Sequence, residues 1–268
     1  NLRFQHKNTC IVVENRGSVL QIEGSQFVAC GNNRSKGGAI RSNGGKLEIR
    51  KSRFSKNNGE KGGGIHAKNA VITISDSIFS DNMGQIGGAI YSEQSEVTLN
   101  KTRIFGNNTR SGGFGAGIAG RNRTILKLYD VTMQSNHAQG KGGAIYLDTS
   151  SLKLINKLEI KESVFSDNSA SFGSSTGGAI YIRGRSQTTI SSSSFSNNIA
   201  SNSGGAIAIH DIGQEIKIEN TKFSKNRARG GNGGAIMIEA SNAENAGKLS
   251  ILSSQFSGNR AETYGGAL

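Results

Sequence analysis

Glu93, Asp148, Arg121 and Arg183 are the residues of this 268-residue chain best placed by their spacing to do chemistry. Each stands three residues beyond the isoleucine of a recurring Gly-Gly-Ala-Ile phrase or of its Gly-Ala-Gly-Ile variant. If that phrase is one strand repeated in register, the four side chains form a single outward column, with steps of ~4.8 Å. Glu93 and Asp148 then lie ~10 Å apart with Arg121 between them, near the upper limit for an inverting pair of carboxyls, ~6.5–9.5 Å. The signs alternate along Glu93, Arg121, Asp148 and Arg183, as in a charge-compensated surface ladder. No catalytic residue is assigned. Two positions earlier, a parallel column carries Tyr91, Tyr146 and Tyr181. Those rings would stack on sugars while Arg121 and Arg183 orient hydroxyls or uronates, which makes the five a candidate glycan-binding set. The plainer reading is that aromatic residues suit exposed strands.

A second kind of chemistry is electrostatic. The net charge is +13, from 32 Lys and Arg against 19 Asp and Glu, and such a field favours polyanions. Arg34, Lys36, Lys61, Arg110, Lys141, Arg227, Arg229 and Arg260 all fall in the loops that precede the glycine pairs, against only Glu60 and Glu262. Loops at one place in a repeat share one edge, so a basic stripe is expected, suited to an acidic polysaccharide or to other copies in a surface filament. Nucleic acid fits less well, because no stacking aromatics interleave with the stripe. Phe114 and Phe172 occupy the two longest of these loops, where they would cover the edge or meet a partner. The four histidines and two cysteines have no metal-ligand spacing, so neither metal nor cofactor is expected.

The elements that position these residues follow from the repeat. Gly-Gly-Ala-Ile stands complete at Gly37–Ile40, Gly87–Ile90, Gly142–Ile145, Gly177–Ile180, Gly204–Ile207 and Gly233–Ile236. An apolar anchor precedes each copy, at Phe27, Phe54, Phe79, Ile104, Met133, Phe165, Phe195, Phe223 and Phe256 among others. Five and seven residues before the anchor stand aliphatic residues such as Ile49 and Leu47, the strand period. Two before it stands a Ser or Thr in nearly every copy, suited to satisfying backbone at a bend. Three after it stands an Asn, giving the column Asn57, Asn82, Asn107, Asn136, Asn168, Asn198, Asn226 and Asn259. Stacked asparagines bond to one another and to corner backbone, so the column is read as structural.

The spacing therefore predicts an all-β chain, a parallel β-helix of about ten rungs with three short strands each. Residues 1–268 form one elongated domain, expected to be a window on a longer repetitive chain. The absence of proline agrees with a backbone whose N–H groups are nearly all needed by ladders. No apolar run is long enough for a membrane-spanning helix. Cys10 takes the place of a tetrad alanine and Cys30 that of a ladder asparagine one rung later, which makes them candidates for a disulfide at the N-terminal end. Sequons occur at Asn33, Asn100, Asn107 and Asn122, with Asn33 and Asn122 the better glycosylation candidates.

Gly-Gly-Ala-Ile paired with Phe-x-x-Asn resembles the repeat of the chlamydial polymorphic outer-membrane proteins and, more broadly, right-handed parallel β-helices of the pectin-lyase-like class. The resemblance covers essentially the whole chain. It implies a secreted or surface-displayed adhesin passenger, extracellular and non-enzymatic, serving as adhesin or filament shaft. The alternative that the fold class implies is a carbohydrate-binding or polysaccharide-cleaving enzyme.

Overall fold

The computed structural model describes residues 2–149, 154–211, 215–240 and 247–268. One rung shows how the repeat becomes a coil. Glu96–Asn100 is a strand, and the chain then bends at Lys101, whose φ is +46°. Arg103–Phe105 follows, with a second left-handed bend at Gly106. Asn108–Phe114 and Ile118–Arg121 complete the rung, and Asn122 turns into the next. Every strand pairs in parallel with its equivalents in the rungs before and after.

Stacking gives four parallel sheets among the described residues. The anchor sheet has ten strands, the tetrad sheet and the leading sheet nine each. The fourth, of seven short strands, follows the Asn column and forms the coil's edge; the repeat had pointed to three. Its strands are mostly two residues long, as in His137–Ala138 and Ser169–Ala170, and a pair that short has no readable alternation. No helix of the described residues is long and apolar enough to cross a membrane.

The interior is a set of ladders. Phe27, Phe54 and Phe79 stack with centroids 4.6 and 4.5 Å apart, and Phe165, Phe195 and Phe223 do the same farther along. Ile104 and Met133 interrupt the rings, and the tetrad answers locally. A Cβ on Gly117 would lie 2.4 Å from Met133 Cε and 2.7 Å from the Ala144 carbonyl oxygen, so the thioether occupies the space beside this glycine. The first tetrad glycine is a left-handed corner, as at Gly142 with φ of +67°. At the second, a Cβ on Gly143 would meet the Gly178 carbonyl oxygen at 2.1 Å.

Asn57 to Asn259 form the expected continuous column. Asn136 Nδ2 donates to Asn168 Oδ1 and to the Ile104 carbonyl, while its Oδ1 accepts from the Asn107 backbone and amide. The column ends on Cys30, whose N–H donates to Asn57 Oδ1 at 2.9 Å. Cys30 is joined to Cys10 by a disulfide, Cα to Cα 5.9 Å. Corner hydroxyls make a second column: Ser52 Oγ donates to the Arg50 carbonyl and accepts from the Ser25 N–H.

Candidate functional site

The outer face of the tetrad sheet is not the open platform that strand alternation suggests. Tyr91, Tyr146 and Tyr181 are 1, 4 and 1% exposed, and with Ala119 and Ala208 they form a second apolar cluster outside the coil. The edge segments fold back over this face, bringing Ile86 and Phe114 against the cluster. His66 stacks on Tyr91, Phe114 on Tyr146, and Tyr146 on Tyr181, at 5.2, 4.8 and 5.4 Å. Lys61 Nζ lies 5.3 Å from the Tyr91 ring centre. Lys141 Nζ lies 4.7 Å from that of Tyr181 and donates to its hydroxyl at 3.1 Å. With faces and edges already packed, these tyrosines offer no ring to a sugar, and the proposed stacking role is corrected to an internal one.

Burial sets the chemistry of this layer. It raises the Tyr146 hydroxyl to about 12, and it also raises Tyr91 and Tyr181. It lowers His66 to about 4, helped by the nearby cations Lys61, Arg41 and Lys36. Lys141 is lowered by burial and then by Arg183.

In the charged column Glu93 and Asp148 each have a cation or hydroxyl beside them. Glu93 lies 3.6 Å from Lys68 Nζ and accepts from the Tyr91 hydroxyl at 3.1 Å. Asp148, 4% exposed, accepts from Arg183 Nε at 2.7 Å and from Nη2 at 3.0 Å. That bidentate contact, more than any other, raises the Arg183 guanidinium above its usual range. Arg121 stands in register between Glu93 and Asp148, and its Nε is buried without a hydrogen-bond partner. The geometry is that of a compensated ladder. An acid and a base facing a common substrate would need to reach it, and Asp148 is 4% exposed with Arg183 on both of its oxygens.

The basic stripe is divided rather than continuous. Arg34, Lys36, Arg227, Arg229 and Arg260 are exposed, whereas Lys61, Arg110 and Lys141 are partly buried and engaged. Arg110 donates to the Gly59 carbonyl at 3.0 Å, to Asn33 Oδ1 at 2.7 Å and to Asn58 Oδ1. It thus clips earlier rungs together. Farther along the edge, His137 sits between Ser169 and Ser171, with oxygen–nitrogen distances of 2.6 and 2.9 Å. Both ring nitrogens face hydroxyls, so the pair lacks the carboxylate that orients a base in a Ser–His nucleophile.

Of the sequons, Asn33 is exposed, Asn122 lies at a left-handed corner and Asn107 is buried in the ladder. No group of His, Cys, Asp and Glu suited to a metal occurs among the described residues.

Comparison with known proteins agrees with this architecture. Residues 9–190 match the family model described as right handed beta helix region. Residues 192–209 and 220–239 match that of the Chlamydia polymorphic membrane protein repeat. The chain is 30% identical over 176 residues to a probable autotransporter, YfaL, of Escherichia coli strain K12. That alignment covers 62% of this chain and 12% of the relative, so the chain spans only a small part of that protein's length. No solved structure matches. Repeat, parallel coil and family match agree, and the chain belongs to the right-handed β-helix family.

Proposed function

We propose that this chain is a non-enzymatic segment of a surface-displayed β-helix, an adhesive shaft that meets acidic glycans along its basic edge. Its similarity to a probable autotransporter and to Chlamydia polymorphic membrane protein repeats supports display outside the cell. The observation that carries the non-enzymatic reading is the bidentate capture of Asp148 by Arg183, beside a Glu93 already met by Lys68 and Tyr91. Such a face stiffens a rod and leaves no free acid to protonate a leaving group. The edge loops supply the contact surface, since most of their arginines reach solvent.

Retention of protein-coated beads on surfaces bearing immobilised polygalacturonate, against surfaces bearing neutral dextran, tests this reading. Retention on the acidic polymer alone, abolished by high salt, is expected. Equal retention on both would sink it.

A further inference from the structure

On the anchor, tetrad and leading sheets, formal charges that face each other in register are of opposite sign wherever residues are described. Glu23 faces Arg50, Lys127 faces Glu159, and Glu215 faces Lys248. The edge sheet breaks this rule. Arg227 is paired directly with Arg260, and both are exposed. Arg229 lies exposed two residues beyond Arg227, and none of the three forms an ion pair among the described residues. Glu262, also exposed, stands opposite Arg229, since its N–H donates to the Ala228 carbonyl at 3.1 Å, so the like-charge contact is that of Arg227 with Arg260. Like charges directly opposite destabilise a ladder, so a chain that compensates its other faces carries a cost here. An anion lying across the two rungs would remove it.

An exposed aromatic stands on the same edge two rungs earlier. Phe172, 63% exposed, is held by its N–H to the Gln139 carbonyl at 3.1 Å. Guanidinium forks match carboxylate and sulfate oxygens in pairs, and exposed ring faces suit flat apolar faces of sugars. We infer that Arg227, Arg229 and Arg260, with Phe172, form a binding site for a carboxylate- or sulfate-bearing polysaccharide lying along the edge. This rests on the reading of the edge as the contact face, and narrows it to one strip.

The test uses the whole chain with heparin, polygalacturonate and duplex DNA as probes. Arg227→Ser combined with Arg260→Ser should weaken polysaccharide binding about tenfold, the loss of one or two charge-assisted bonds. The same variant should melt higher than wild type at low salt without ligand, a readout that also shows it is folded. Phe172→Ala should weaken polysaccharide binding as well. Arg103→Ser, on the anchor sheet, should change neither property. Undiminished binding by the double-arginine variant overturns the strip while leaving the basic-edge reading standing. Failure of wild type to bind either polysaccharide overturns both. Tighter binding to DNA than to either polysaccharide overturns the carbohydrate assignment.

Discussion

Phe114 stacks on Tyr146 with ring centroids 4.8 Å apart and planes 19° from parallel, although the two lie on successive rungs. The tetrad column should carry its own ring one rung before Tyr146, but Ala119 stands there. The seven-residue edge strand Asn108–Phe114 swings its last side chain into the space that Ala119 leaves. A Cβ on Gly140 would lie 2.8 Å from the Phe114 ring, so the loop of the following rung fits against it closely.

Phe114→Ala should therefore open this outer layer without breaking the coil. A loss of roughly 2–4 kcal/mol is expected, somewhat below that of a fully buried aromatic because Phe114 is only partly buried. Denaturant unfolding measures the loss, and acrylamide quenching of tyrosine emission should rise as Tyr146 is uncovered. Unchanged quenching would mean that another group covers the ring.

Asn136→Ala removes a side chain that serves two backbone groups and two neighbouring amides. Each buried group left without a partner costs roughly 1–3 kcal/mol, so a total of about 3–5 kcal/mol is expected. Asn136→Asp should be nearly as damaging, since it loses a donor and buries a charge. Urea unfolding of both variants checks the ranking. A loss below ~1 kcal/mol for either would show that water replaces the ladder.

Acid should weaken the fold through His66. Its folded value is near 4 against an ordinary 6.5, so between those values the unfolded chain takes up a proton that the folded chain refuses. Stability consequently falls as pH drops from 6.5 towards 4, by up to roughly 3 kcal/mol, and this contribution flattens below 4. His66→Phe should flatten the wild-type slope across that window. Parallel slopes for the two proteins would assign the acid sensitivity elsewhere, for example to His137 and His210, which burial also lowers.

Corner positions should reward glycine. Ser135 is exposed with φ of +52°, in a column where Gly106 and Gly258 stand on other rungs. Relief of left-handed strain, roughly 1–2 kcal/mol, exceeds the entropic cost of glycine, roughly 0.5–1 kcal/mol. Ser135→Gly should raise the melting temperature, and Ser135→Val should lower it. A lower melting temperature for the glycine variant would contradict the corner account.

What the sequence made legible was whatever a ladder repeats. Phe54 and Phe79, or Asn57 and Asn82, must match because each rests on its equivalent one rung away. The tyrosine face was not legible. Alternation places Tyr91 and Tyr181 outside the coil but is silent on what folds over that outside, and here Ile86, Phe114, Lys61 and Lys141 do. The left-handed corners were hidden for a similar reason. Lys51, Asp76, Lys101 and Asp130 hold one such column, in which only the early Gly24 is a glycine. The division of the basic stripe depended on reach: Arg110 bonds to Asn33, three rungs back, a contact no local pattern encodes.

The most direct test of the central claim measures binding and cleavage in one experiment. Protein is mixed with polygalacturonate or heparin, and both retention and polymer length are followed by size exclusion over hours. The account predicts salt-sensitive binding with polymer length unchanged. Progressive shortening of either polymer, lost in Glu93→Gln or Asp148→Asn, would contradict it and make the compensated ladder an active site.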